Sequence, residues 1–227
     1  MPEPLTLEMN DPEGSLRETL DEDGRSTRAQ VLRRAVIGGG SIAAGGLLIG
    51  GLPELALGRP SKRQDGKILN FALLLEYLES EFYVQSVAGG ALSGELLTFA
   101  TTVRDHELAH VDFLRQALGG AAIAKPSFDF KGTTEDADTF AATALVLEDT
   151  GVAAYNGQGP RLRRKTLAAA ASIVSVEARH AAWIRRIVAA PDYADGKGSY
   201  PAPAALDKAK SKAQIEAAVG ATGFIQG

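Results

Sequence analysis

Apolar residues recur at helical spacing along four stretches of the chain, and short Gly- and Pro-rich segments separate them. Over about residues 67–87, Leu69, Ala72, Leu73, Glu76, Ser80 and Tyr83 share one face at the helical period. Gly89-Gly90 ends that helix, and Ser93 is placed to cap a second over about 94–117. The second presents Ala100, Val103, Glu107, His110, Val111 and Leu114 and closes at Gly119-Gly120. Residues 119–137, with Pro126 and Phe128-Asp129-Phe130, read as a long crossover. A third helix over about 136–155 turns Ala141, Ala144, Leu145, Glu148, Val152 and Tyr155 inward, before the break at Gly157-Gln158-Gly159-Pro160. The fourth, about 161–190, carries Ala170, Ile173, Glu177, His180, Ala181 and Ile184 inward, with Pro191 after it. The pattern predicts an all-α fold over 59–190: an antiparallel four-helix bundle of two hairpins joined by the crossover. Residues 191–227 form a C-terminal extension with a short helix near 207–219, which Phe224-Ile225 is placed to dock.

Ionisable residues interrupt each of the four apolar faces. Glu76 and Glu148 sit alone in Leu- and Ala-rich runs, while Glu107-His110 and Glu177-His180 repeat Glu-x-x-His, two residues of one helix face. One such pair arises by chance on many exposed helices. The order Glu, Glu-x-x-His, Glu, Glu-x-x-His matches the ligand set of a two-metal carboxylate bundle. Its heights match too: the midpoint of Glu76 and Glu107 falls near residue 91, in the first turn, and that of Glu148 and Glu177 near 162, slightly past the second. Four carboxylates in a dry core repel unless protonated or neutralised. Two divalent cations with neutral imidazoles balance them, and oxygen and nitrogen donors suit iron or manganese. The bridging pair is either Glu107 with Glu148 or Glu76 with Glu177.

Neighbouring residues have quieter readings. Tyr83 and Tyr155 each follow a lone glutamate by seven residues, as hydrogen-bond partners of the site or as core aromatics. Glu79 lies about 60° from Glu76 around the helix, a flanking or hydrogen-bonding group rather than a ligand. His106, about 100° from Glu107, reads as surface, so its loss should leave metal occupancy unchanged. Arg161, Arg163, Arg164 and Lys165 read as a solvated helix start, not as a phosphate or DNA patch.

The 227 residues are 45% hydrophobic, enough for one sizeable domain with tails. The absence of cysteine removes disulfides and thiolate metal sites, and the net charge of -4 argues against nucleic acid as the main partner. Residues 1–30 are polar and acidic, which predicts disorder. Arg33-Arg34 then precede residues 35–53, which carry no charge and seven glycines. That pattern suits a twin-arginine export signal with cleavage after Ala56-Leu57-Gly58, and a single membrane anchor or a Gly-rich linker are the competing readings. The acidic leader before the arginines departs from the short basic region of most signals.

The run from Leu69 to Glu79 with Phe82-Tyr83, Glu107-Leu108-Ala109-His110, Glu148 through Tyr155, and Val176-Glu177-Ala178-Arg179-His180-Ala181-Ala182 together resemble the ferritin-like superfamily. Within it the chain is similar to bacterial exported ferritin-like domain proteins, a group that includes desiccation-related proteins. The resemblance covers about residues 67–190 and implies metal ligands at Glu76, Glu107, His110, Glu148, Glu177 and His180. It leaves the reaction open, since the superfamily holds iron stores, oxidases, peroxide-handling proteins and manganese catalases. The expectation is an exported di-iron or di-manganese oxidoreductase acting on O2 or H2O2 in stress protection. The alternatives are a non-enzymatic stress-related surface or binding protein with a structural or vacant site, and iron storage. Oligomerisation is compatible with each.

Overall fold

A computed structural model describes residues 60–189 and 201–226. The leader, Arg33-Arg34, the uncharged run 35–53 and the start of the C-terminal extension lie outside the described residues. The described part is helical: α1 Lys62–Gly89, α2 Gly94–Leu118, α3 Ala137–Gln158, α4 Arg164–Val188 and α5 Lys212–Thr222. Two short strands, β1 Ser127–Phe128 and β2 Ile225–Gln226, complete it. None of the described helices is long and apolar enough to cross a membrane.

Local chemistry sets the helix ends. Ser61 caps α1 by accepting from the Gln64 amide at 3.2 Å, so the helix starts five residues before the expected 67. Gly90 ends it with φ of 73°, a left-handed conformation that favours glycine. Asp136 caps α3 through the Thr139 amide at 2.9 Å. That helix runs through Gly157 to Gln158, and a 3-10 turn over Gly159–Arg161 follows. The second hairpin turn thus lies at 159–163, which accounts for the midpoint near 162.

Helix α1 packs mainly on α2 and α3 on α4, and the hairpins meet α1 against α3 and α2 against α4. Two apolar clusters fill the bundle. One centres on Phe82, Tyr83, Phe99, Phe130 and Phe140, with Phe82 and Phe140 stacked at 5.2 Å. The other gathers Leu73, Tyr77, Leu114, Tyr155 and Ile173.

The C-terminal extension joins the first cluster. Ile215, Val219 and Phe224 are buried there, and Phe224 meets Phe130 edge-on at 5.3 Å. Burying each such side chain contributes about 1.5–3 kcal/mol. β2 pairs antiparallel with β1, and Asp129 donates its amide to the Phe224 carbonyl at 2.8 Å, so the crossover grips the tail. The strand pair was not legible as such, because two residues carry no alternation to read. Glu81 forms an ion pair with Lys125 of the crossover at 2.5 Å.

Candidate metal centre

All four helices of the bundle deliver ionisable groups to one buried place. Glu76 of α1, Glu107 of α2, Glu148 of α3 and Glu177 of α4 are fully buried, and His110 and His180 nearly so. Both imidazoles turn Nδ1 to the carboxylates. His110 Nδ1 lies 3.0 Å from Glu177 Oε1, 3.2 Å from Glu107 Oε2 and 3.3 Å from Glu76 Oε2. His180 Nδ1 lies 3.1 Å from Glu107 Oε1 and 3.3 Å from Glu148 Oε2.

These six residues form two overlapping groups of potential ligands. Glu76, Glu107, His110 and Glu177 make one, and Glu107, Glu148, Glu177 and His180 the other, with ligand atoms in each within 4.8 Å of one another. Glu107 and Glu177 belong to both. The shared pair is therefore Glu107 with Glu177, not either pair expected from the sequence. The reason is symmetric: the Glu-x-x-His helices face each other across the site, so their glutamates reach both halves, while Glu76 and Glu148 each reach one.

Glu76 and Glu148 are held from the opposite hairpin. Tyr155 Oη donates to Glu76 Oε1 and Tyr83 Oη to Glu148 Oε1, each at 2.5 Å. The seven-residue spacing thus encodes a crossed pair: the tyrosine of each half orients the glutamate of the other. Burial, then the adjacent carboxylate, pushes both phenols well above their ordinary range, so they stay protonated donors. Tyr83 lies in one apolar cluster and Tyr155 in the other, so the site touches both.

Without a cation the cluster is frustrated. Burial and neighbouring carboxylates push Glu107 and Glu177 well above the usual carboxylate range. Burial acts in the same sense on Glu76, but hydrogen bonds led by that from His110 outweigh it and hold its carboxyl low. Burial disfavours the His110 cation, yet the Glu107, Glu177 and Glu76 carboxylates raise its value to about 12. One Nδ1 proton cannot serve three oxygens. Beyond such close but poorly aligned approaches, Glu76 Oε2, Glu107 Oε1, Glu148 Oε2, both Glu177 oxygens and His180 Nδ1 are buried with no hydrogen-bond partner of good geometry. Leaving such atoms unsatisfied is costly, and cations bound among them remove the cost. The donor set of carboxylate oxygen and imidazole nitrogen fits divalent metal, so the buried groups are able to hold metal ions.

Two residues extend the site. Glu79 is buried, belongs to neither group and makes no hydrogen bond among the described residues; burial and then Glu177 push its carboxyl well up. Across from it lies Gly151, where a methyl group would sit 3.3 Å from both Glu177 Oε2 and Glu79 Oε1, so glycine keeps room for the two carboxylates. His106 is exposed, as its surface reading has it, yet it also reaches the site: its Nδ1 lies 2.9 Å from His180 Nε2 and the rings stack at 5.1 Å. The signal was in the spacing: His106 is about 40° from His110 around the helix, one turn away, although about 100° from Glu107.

A model of the ferritin-like domain matches residues 64–190, more than half of the chain. No curated protein matches it.

Proposed function

The chain belongs to the ferritin-like domain family, and from the site it carries we propose a di-iron or di-manganese oxidoreductase acting on O2 or H2O2. The carrying observation is the pair of overlapping ligand groups sharing Glu107 and Glu177, with six of their buried atoms left without a well-aligned hydrogen bond. Glu76, Glu107, His110, Glu148, Glu177 and His180 hold the metals in this reading. Two such ions supply a two-electron reservoir for the oxidant. The protein's own residues do the rest. Tyr83 and Tyr155 fix Glu148 and Glu76 by donating hydrogen bonds. For His180 to ligate through Nδ1, its Nε2 carries the proton, and His106 Nδ1 accepts it, which fixes the tautomer. The apolar clusters keep bulk water from the carboxylates. The absence of thiolates favours iron or manganese over softer metals.

The test is loading the full chain with Fe2+, Mn2+ or Zn2+ and measuring metal per chain alongside O2 and H2O2 consumption. The expected result is about two metals per chain, with turnover for iron or manganese and none for zinc. Binding without turnover would make the metal structural, and uptake of many more irons per chain would make the protein a store.

The same proposal places the protein outside the cytoplasm, in a role in stress protection. Arg33-Arg34 before the uncharged run 35–53 support twin-arginine export, which carries chains already folded and lets metal be bound first. Changing both arginines to lysine is expected to trap the full-length chain in the cytoplasm. Unchanged secretion of that variant, followed by fractionation and immunoblot, removes the twin-arginine route.

A further inference from the structure

A second polar site stands where α1 begins, α3 ends and α5 begins. A cavity of about 350 Å³ opens there, lined by Arg63, Gln64, Lys67, Gln158, Arg161 and Lys212 among others, with no carboxylate in its wall. Four cationic side chains surround one opening. Lys212 has a partner, Glu216 at 3.0 Å, whereas Arg63, Lys67 and Arg161 have no ion pair among the described residues. The nearest acid of the same helix turn, Asp65, is already used: Arg163 Nε binds it at 2.8 Å and Thr166 Oγ1 at 2.5 Å. The N-terminus of the 28-residue α1 adds its positive end to the same place.

Charge alone makes no site, but the wall also contains committed donors. Gln158 is only 4% exposed, and its Nε2 has no acceptor. Its Oε1 is taken by Arg161 Nη1 at 3.4 Å, which fixes the amide with its nitrogen free. Arg161 Nε is likewise buried without an acceptor, while its carbonyl accepts from Gln64 Nε2 at 3.2 Å. A buried amide and a guanidinium, both lacking acceptors, stand beside Arg63 and Lys67, which have no ion pair among the described residues, and form a cradle rich in donors and free of carboxylates. Its missing component is an anion with several oxygens. Arg161 thus departs from the solvated reading that its neighbour Arg164 keeps.

We propose that this cavity binds the phosphate group of a small molecule, independently of the metal centre. Its volume suits a small phosphorylated compound, and the guanidinium and amide donors match phosphate oxygens. The experiment is calorimetric titration of the full chain with inorganic phosphate at constant ionic strength, in metal-free and metal-loaded forms. Saturable binding of one phosphate per chain is expected in both. The double variant Arg63→Gln/Lys67→Gln, at exposed positions, should weaken it at least tenfold. Gln158→Glu keeps the side-chain shape and sets a carboxylate in the wall, and should abolish it. Arg164→Gln, equal to Gln158→Glu in its change of net charge but outside the cavity, should leave it unchanged. Absence of saturable binding, or equal weakening by Arg164→Gln, overturns the proposal. Vesicles of phosphatidylglycerol serve as a second probe: binding to them but not to inorganic phosphate also overturns the small-molecule assignment.

Discussion

Glu177→Gln is expected to empty both metal positions, from about two ions per chain to near none. Glu177 is in both ligand groups, so its loss is felt twice. The amide keeps the shape but removes one negative charge and half of the oxygen donors. Three carboxylates then face two divalent cations in a buried site, which leaves an uncompensated charge. Glu148→Gln touches only the group that includes His180 and should spare the ion beside His110. His106→Ala removes no ligand, so both ions should stay at saturating metal. By freeing His180 Nε2 it should weaken one position by about 10–100-fold, the usual effect of losing a partner that orients a metal-bound histidine. His106→Gln, which restores an acceptor, should recover part of that loss. Metal per chain after identical loading and desalting, followed by competition with a chelator, reads all four variants. If Glu177→Gln retains wild-type metal, or Glu148→Gln loses both ions, the shared role of Glu177 is wrong.

The bundle was legible because its signals are periodic. Glu76, Glu107, Glu148 and Glu177 interrupt apolar faces at the right heights, and helical geometry brings such positions together with little freedom. What was not legible depends on side-chain direction and on contacts between helices. The choice of Glu107 with Glu177 as the shared pair needs the packing of α1 on α3 and α2 on α4, which no periodicity contains. The crossed bonds Tyr155 to Glu76 and Tyr83 to Glu148 are prefigured by the sevenfold spacing, but only the packing makes them cross. His106 is exposed as read, but its contact with the site was missed because its angle was judged against Glu107, whereas its partner His180 lies on another helix. Gly151 gives no signal of its own within an Ala-rich helix until the carboxylates beside it are located.

The metal-free protein should be most stable in mildly acidic solution and lose stability toward alkaline pH, the reverse of the metal-loaded form. Glu107, Glu177 and Glu79 have folded values well above the ordinary 4.5, through burial and mutual repulsion. A raised carboxyl contributes stability that is present below its unfolded value and lost as pH climbs toward the folded one. His110, raised from 6.5 to about 12, and His180, also raised, act in the same sense above 6.5. Glu76 opposes them, but its lowered value confines its effect to pH below 4.5, where stability falls with acid. Between pH 5 and pH 9 the folded state therefore holds more protons than the unfolded chain. Each excess proton lowers stability by about 1.4 kcal/mol per pH unit. One excess proton held across those four pH units amounts to about 6 kcal/mol, so at about 2–4 °C per kcal/mol for a domain of this size the melting midpoint should drop by more than about ten degrees. Metal replaces those protons: carboxylates bind ionised and imidazoles neutral, so loading releases protons and strengthens as pH rises. Calorimetric melting from pH 5 to 9, with and without two equivalents of Mn2+, reads both trends. A metal-free midpoint that rises with pH would mean that the buried glutamates carry no excess protons, and the charge balance argued for the site would fail with it.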